Sequence, residues 1–312
     1  MSTYLVTGGC GFIGSHLADA LLARGSGVRI LDDLSTGKRA NKPAAAELIQ
    51  GSVVDAKAVA EAMEGVAGCF HLAAIASVER GNRDWLGTHA VNLTGTVTVL
   101  DAARAAGVSV VYASSAAVYG DNPALPLAED AATRPLSAYG ADKLGCELHA
   151  RVAGLVHGVP STGLRFFNVY GPRQDPLSPY SGVISIFCER LRVGEAAIVF
   201  GDGSQTRDFV FVTDVVRALL AAMREASRQA RVFNVCTGRA TSLLDLVAAI
   251  AGTLGVDPAI TFGPARPGDV RTSLGDPTAA RMALGFDART RLQEGLASTL
   301  DLVSPSYRSP PA

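Results

Sequence analysis

The octapeptide Thr7-Gly8-Gly9-Cys10-Gly11-Phe12-Ile13-Gly14 follows directly on the apolar run Tyr4-Leu5-Val6 and precedes a helical pattern. Gly8, Gly11 and Gly14 recur every third residue, as GxxGxxG. A strand that ends in such a turn and opens a helix presents backbone N–H groups at the helix start. Without Cβ atoms in the way, a pyrophosphate can touch them. Glycine-rich turns also serve purely structural ends, so the triplet gains meaning only from its surroundings.

Those surroundings alternate. Short β-branched runs at 4–7, 28–31, 48–50, 69–72, 108–113 and 161–166 are separated by helical patterns at 13–24, 59–63, 88–105 and 138–156. Alternation at this spacing implies right-handed crossovers and a parallel sheet covered on both faces. The expected fold class is therefore α/β: a Rossmann-like doubly wound parallel sheet with a smaller C-terminal α/β substrate-binding domain. Residues 1–170, with returning segments at about 208–237, are assigned to the dinucleotide domain, and 171–207 with 238–312 to the substrate domain. The stretch 171–182 carries three prolines and reads as a loop. Beyond it the pattern gives helix 183–193, strand 197–200, helix 215–224, strand 232–236 and helix 243–254.

Asp32 stands eighteen residues beyond Gly14, at the end of the second predicted strand, and Asp33 follows it. A carboxylate there accepts hydrogen bonds from both hydroxyls of an adenosine ribose and repels a 2′-phosphate, which points to NAD over NADP. Lys38 and Arg39 follow closely and leave a phosphate-binding alternative open at this point.

Composition narrows the partners. The 312 residues carry a net charge of −1 and are 48% hydrophobic, enough for a large core and without a basic excess, so nucleic acid is not an expected partner. The five cysteines are scattered with no CxxC pair, so neither a zinc site nor a disulfide framework is expected, and no metal site is assigned. The chain lacks an apolar run of membrane-spanning length and a signal-like N-terminus, so a cytoplasmic location without membrane contact is expected.

Tyr139-Gly140-Ala141-Asp142-Lys143 places a phenol and an ammonium at i,i+4 on one helix face. A phenol is a poor base near neutral pH unless a positive charge favours its phenolate, and an adjacent ammonium supplies one. Some twenty-four residues earlier, at a predicted strand end, lies Ala113-Ser114-Ser115-Ala116-Ala117-Val118-Tyr119-Gly120. Either serine can face the crevice at the sheet's C-terminal edge, or simply end the strand.

Taken together, TGGCGFIGSH, LDDLSTG, HLAA, YASSAAVYGD, Tyr139-x-x-x-Lys143, LRFFNVYGPRQDP and GDGSQTRDFVFVTDV resemble the extended short-chain dehydrogenase/reductases, over about residues 3–285. Within them the chain looks most like the UDP-hexose and UDP-N-acetylhexosamine 4-epimerases. The resemblance implies Tyr139 as base, Lys143 as its tuner and nicotinamide-ribose ligand, and Ser115 as hydroxyl partner. It implies NAD held by Gly8, Gly11, Phe12, Ile13 and Gly14; by Asp32, Asp33, Ser35, Thr36 and Gly37; by Ser52 and Val53; by Leu72, Ala73 and Ala74; and by Phe166, Tyr139 and Lys143. The family commonly has Asp where Ser52 stands, which puts one adenine contact in doubt.

For the substrate it implies Ser77, Ser115 and Tyr139 on the sugar side, with Asn168, Val183, Arg207, Arg266 and Asp269 around the UDP. A residue four beyond that aspartate borders the sugar in the family; here it is the small Ser273, which leaves room for an N-acetyl group. A related 4,6-dehydratase carries an Asp-Glu pair where this chain has Ala116 and Ala117, so dehydration is not expected. The expected reaction is NAD-dependent 4-epimerisation of a UDP-sugar through a 4-keto intermediate. A UDP-glucuronate 4-epimerase or decarboxylase and a non-catalytic NAD-binding regulator are the alternatives. The resemblance also implies a homodimer through the helices at 88–105 and 138–156, whose alanines permit close approach.

Overall fold

The structure, a computed structural model, describes residues 2–175, 182–265 and 270–301. Its strands are β1 Thr3–Thr7, β2 Gly27–Asp32, β3 Glu47–Gln50, β4 Gly68–His71, β5 Ser109–Ser115, β6 Ser161–Phe166, β7 Asn168–Tyr170, β8 Ala197–Phe200, β9 Thr206–Arg207, β10 Phe209–Phe211, β11 Arg231–Val235, β12 Thr241–Ser242, β13 Ile260–Gly263 and β14 Thr272–Ser273. The helices are α1 Phe12–Ala23, α2 Ala56–Met63, α3 Val78–Arg83, α4 Trp85–His89, α5 Gly95–Ala106, α6 Ala138–His157, α7 Val183–Arg192, α8 Val212–Arg224, α9 Leu243–Leu254, α10 Thr278–Leu284 and α11 Leu292–Asp301.

Seven strands form one parallel sheet in the order β3-β2-β1-β4-β5-β6-β11. Strand order reverses between β1 and β4, which opens a crevice at their C-terminal ends. Both faces are covered. On one, Leu17 and Leu21 of α1 pack with Val215 and Leu219 of α8; on the other, Val59, Val99 and Ala150 bring α2, α5 and α6 together. Every residue of β6 is buried, as a strand with helices on both faces requires. Truncating a fully buried leucine such as Leu17 to alanine costs about 2–5 kcal/mol here.

A third core, with Ile184, Phe187, Leu246, Val247 and Leu296, joins α7, α9 and α11 in the C-terminal region. There the pairings are short: β8 with β13, β7 with β10, and the three-stranded β12-β9-β14. Strands of two or three residues have no readable periodicity, and the sequence reading gives none of β7, β9, β10, β12 and β14, nor the four-residue β13. It also missed α3, α10 and α11. The helix expected at 88–105 is α4 and α5 joined through a π-helical turn, Ala90–Thr94. Within that turn the Asn92 side chain accepts from Ile75 N–H at 2.8 Å and donates to its carbonyl at 3.2 Å. A π-turn that serves a loop across the crevice is a common functional device.

Candidate active site

Gly8 ends β1 with φ +69°, and a Cβ there would stand 2.8 Å from the Ala73 amide nitrogen. Only glycine meets both demands. Gly14 packs against the Gly8 carbonyl, where any side chain would collide. Phe12 and Ile13 open α1 between these contacts, so the turn and helix start stay bare of side chains on that side. Thr7 ties the neighbouring loop down: its Oγ1 accepts from the N–H groups of Leu72 and Ala73, each at 3.2 Å. The glycine turn and residues Leu72 and Ala73 are thus held together.

Asp32 is buried at the end of β2. Its Oδ2 accepts from Cys10 N–H at 2.8 Å and its Oδ1 from Leu34 N–H at 2.9 Å. Burial raises its carboxyl above the usual carboxylate range, and the two N–H donors oppose that. Gly37 lies across it, with a Cβ position 2.9 Å from Oδ1. Asp33 is exposed and caps the turn by accepting from Ser35 N–H at 2.9 Å, with Ser35 and Thr36 exposed beside it. Gly51 N–H donates to the Asp32 carbonyl at 3.1 Å, which brings Ser52 and Val53 alongside; Val53 itself is packed against Gly95. Lys38 is paired with Asp175 at 2.8 Å and Arg39 donates to Gln50 at 2.9 Å. A carboxylate with a second lone pair on each oxygen, beside a bare glycine turn, fits NAD.

The helix α6 is docked on the end of β5 at two points. Lys143 Nζ donates to the Ala113 carbonyl at 2.9 Å, and Gly140 approaches the Ala117 carbonyl so closely that a Cβ would be 2.7 Å from it. Ser137 caps the helix by accepting from Gly140 N–H at 3.1 Å. Tyr139 is half-buried in this first turn, and the buried Lys143 ammonium lies 5.8 Å from its ring centre. The two serines separate cleanly. Ser114 is buried and donates to Glu147 at 2.5 Å, whereas Ser115 is half-buried and its Oγ accepts from Ala117 N–H at 3.1 Å. Ser115 keeps its hydroxyl hydrogen to donate, and its register partner on β6 is Phe166. Ser77 is the N-cap of α3, accepting from Arg80 N–H at 3.0 Å, and Gly81 of that helix faces the Tyr139 amide.

Farther along, Asn168 sits half-buried on β7, Val183 opens α7, and Arg207 on β9 is in register with Ser273 on β14. Arg266 and Asp269 lie outside the described residues.

Three features were not read from the sequence. His71 is fully enclosed between Thr7 and Thr96: Thr96 Oγ1 donates to the Asn92 carbonyl at 2.6 Å, so it accepts from His71 Nε2–H at 3.0 Å, and His71 Nδ1 accepts from Thr7 at 2.8 Å. Burial, and secondarily the Lys143 charge, pushes this imidazole down to about 3. Glu147 takes Arg165 in a two-pronged pair at 2.7 and 2.9 Å, locking α6 to β6. Asp208, next to Arg207, is fully buried and accepts from Thr237 and Gly238.

Comparison with known proteins agrees with this arrangement. The chain is 44% identical over 307 residues to a UDP-glucose 4-epimerase of Mycolicibacterium smegmatis, covering 95% of this chain and 97% of that one. It superposes with TM-score 0.94 on a UDP-glucose 4-epimerase of Thermotoga maritima solved with UDP-glucose, 37% identical, covering 98% and 100% of the two chains. A UDP-N-acetylglucosamine 4-epimerase from Methanobrevibacter ruminantium, in complex with UDP-N-acetylmuramic acid, superposes with TM-score 0.92 at 33% identity, covering 97% and 98%. The match to a family sequence pattern runs from residue 4 to residue 236, from the glycine turn through β11, and on that span the chain belongs to the NAD dependent epimerase/dehydratase family.

Proposed function

We propose that this protein is an NAD-dependent UDP-sugar 4-epimerase that works through a 4-keto sugar. The observation that carries this reading is the docking of Tyr139 and Lys143 on the strand end that bears Ser115, followed by two alanines. That crevice end holds one proton-moving group and its partner, and Ala116 and Ala117 can supply no second acid or base for eliminating water.

The chain's own residues divide the work. Asp32, the glycine turn at Gly8, Gly11 and Gly14, and the Leu72–Ala73–Ala74 loop hold the dinucleotide, and the carboxylate selects NAD. NAD held there would supply reversible hydride chemistry at the sugar C4. Tyr139 holds the proton of the C4 oxygen, removing it as the carbonyl forms and restoring it afterwards. Lys143 favours the ionised phenol through its charge. Ser115 donates to the same oxygen as charge develops there. Asn168, Arg207, Arg266 and Asp269 hold the UDP, so the sugar can turn over while its nucleotide stays fixed.

UDP-sugars are the substrate class because the similar proteins named above act on UDP-glucose and UDP-N-acetylglucosamine. We further infer that N-acetylated sugars are accepted, since Ser273 is small and stands opposite Arg207. The test is to incubate the purified protein separately with UDP-glucose, UDP-N-acetylglucosamine and UDP-glucuronate and resolve the products by NMR. Formation of the galacto epimer from either of the first two supports the reading; conversion of UDP-glucuronate alone, or of none, refutes it.

A homodimer through α5 and α6 is part of the same proposal. Leu148, Val152, Leu155 and Val156 form an exposed i, i+4, i+7, i+8 stripe on α6, with Val97 exposed on α5. A stripe this apolar asks for cover, and a second copy supplies its own. Of the alanines on these helices, Ala103, Ala150 and Ala153 are buried within the protomer, while Ala105 and Ala141 are exposed. Light scattering tests the pairing: Leu155→Glu should halve the observed mass. Among the described residues no helix is long and apolar enough to cross a membrane. The five cysteines are buried and unpaired, which suits the reducing cytoplasm.

A further inference from the structure

The strand that carries Arg207 is two residues long, and so are both its neighbours, β12 and β14. Such short ladders have too few hydrogen bonds to hold a register on their own. Yet this register sets Arg207 opposite Ser273 on one side and Thr241 on the other.

The next residue, Asp208, is fully buried and bonded to the flank that leads into β12. Its Oδ1 accepts from the Thr237 N–H at 2.8 Å and from the Thr237 hydroxyl at 2.7 Å, and its Oδ2 accepts from Gly238 N–H at 2.8 Å. The Thr237–Gly238 turn leads straight into β12. Gly275, two residues beyond Ser273 and β14, packs on Cys236 beside this turn, where a Cβ would stand 2.6 Å from the Cys236 Sγ. On its main-chain side, the Asp208 carbonyl accepts from Asn168 N–H at 2.9 Å. Asp208 therefore holds the Asn168 segment and the Thr237–Gly238 turn directly, and the segment that bears Ser273 through the packing of Gly275 on Cys236. A carboxylate suits this because it is acceptor-only and every group aimed at it is a donor.

We propose that Asp208 is a positioning residue for the UDP-sugar site, fixing Arg207 and Ser273 opposite each other without itself touching substrate. The inference rests on the epimerase reading above. It explains why a charge is buried beside a diphosphate-binding arginine. An amide in its place would turn one oxygen into a donor facing another donor, so Asp208→Asn loosens at least one flank at nearly unchanged volume.

The experiment compares wild type, Asp208→Asn, Thr237→Val, Arg207→Ala and the Arg207→Ala/Asp208→Asn double variant, each checked for bound NAD. For Asp208→Asn the expected result is a UDP-sugar KM and a UDP Kd raised by roughly tenfold or more, with kcat within about threefold and NAD content unchanged. Thr237→Val, which removes one of the donors, should shift the same two constants in the same direction by a smaller factor. The double variant should bind UDP about as weakly as Arg207→Ala alone, because a displaced arginine has already lost its contact. A variant with lowered thermal stability but wild-type KM and Kd, or losses that multiply in the double variant, overturns the proposal. If Asp208→Asn does not fold, Thr237→Val decides by the same criterion. A wild type that binds UDP but epimerises no UDP-sugar sinks the activity assignment, and UDP calorimetry on the variants still decides the role of Asp208.

Discussion

The Lys143 ammonium lies 5.8 Å from the centre of the Tyr139 ring while its Nζ donates to the Ala113 carbonyl. One side chain thus anchors α6 to the strand end and places positive charge beside the phenol. Replacing Tyr139 by Phe keeps the ring and removes the proton carrier. Turnover should fall by roughly 10²–10⁴-fold with NAD still bound. Ser115→Ala removes one donor and should cost roughly 10²-fold or somewhat less than the tyrosine change. Steady-state rates on both variants check this, and near-normal turnover of Tyr139→Phe is the contrary result.

In the proposed reading Asp32 sets cofactor choice. Its two oxygens already accept from Cys10 and Leu34, which fix their direction. Asp32→Ala should weaken NAD binding by about 1–3 kcal/mol and narrow the preference over NADP, because it removes an acceptor and a repulsion together. Calorimetry with both dinucleotides measures it. Equal affinity of the wild type for the two argues against the assignment.

His71 links pH to stability. Its folded value is pushed down to about 3, below the ordinary value near 6.5. Between those limits the unfolded chain binds a proton that the folded chain refuses. The stability due to the neutral imidazole is therefore present above about pH 6.5 and lost as pH falls toward 3, with a slope of up to about 1.4 kcal/mol per pH unit. His71→Gln, which retains an acceptor and a donor, should flatten that slope by one proton. Urea unfolding of both proteins at pH 7.5, 6.0 and 5.0 gives the comparison; identical slopes would show that His71 is not the group.

The sugar pocket gives a size prediction. Ser273 is half-buried and in register with Arg207. Ser273→Tyr should impose strain of about 1–3 kcal/mol on an acetamido group while leaving a hydroxyl tolerated. Activity on UDP-N-acetylglucosamine should then fall much further than activity on UDP-glucose. A parallel fall in both activities, or no change in either, means that Ser273 does not gate the pocket.

The first half of the molecule was legible because its signals are local. The glycine turn, Asp32 and the Tyr139–Lys143 spacing each lie within one strand–helix unit, where chemistry and periodicity coincide. The residues alone left Ser114 and Ser115 equivalent, the family resemblance chose Ser115, and the structure adds the physical difference: Ser114 is bound to Glu147, thirty-three residues away. His71 and Asp208 escaped for the same reason. Their meaning lies in partners such as Thr7 and Thr96, or Thr237 and Gly238, that are distant in sequence. The π-turn at Asn92 was invisible because its helical period looks unbroken from outside.

In the proposed reaction the C4 hydrogen leaves and returns as a hydride on one protein molecule while Tyr139 exchanges only the oxygen-bound proton. UDP-glucose or UDP-N-acetylglucosamine labelled with deuterium at C4 and incubated in ordinary water separates this from exchange with solvent. The 4-epimer should form with its C4 deuterium retained, read by NMR and mass spectrometry. Epimer formed with the label washed out into water rules the hydride route out.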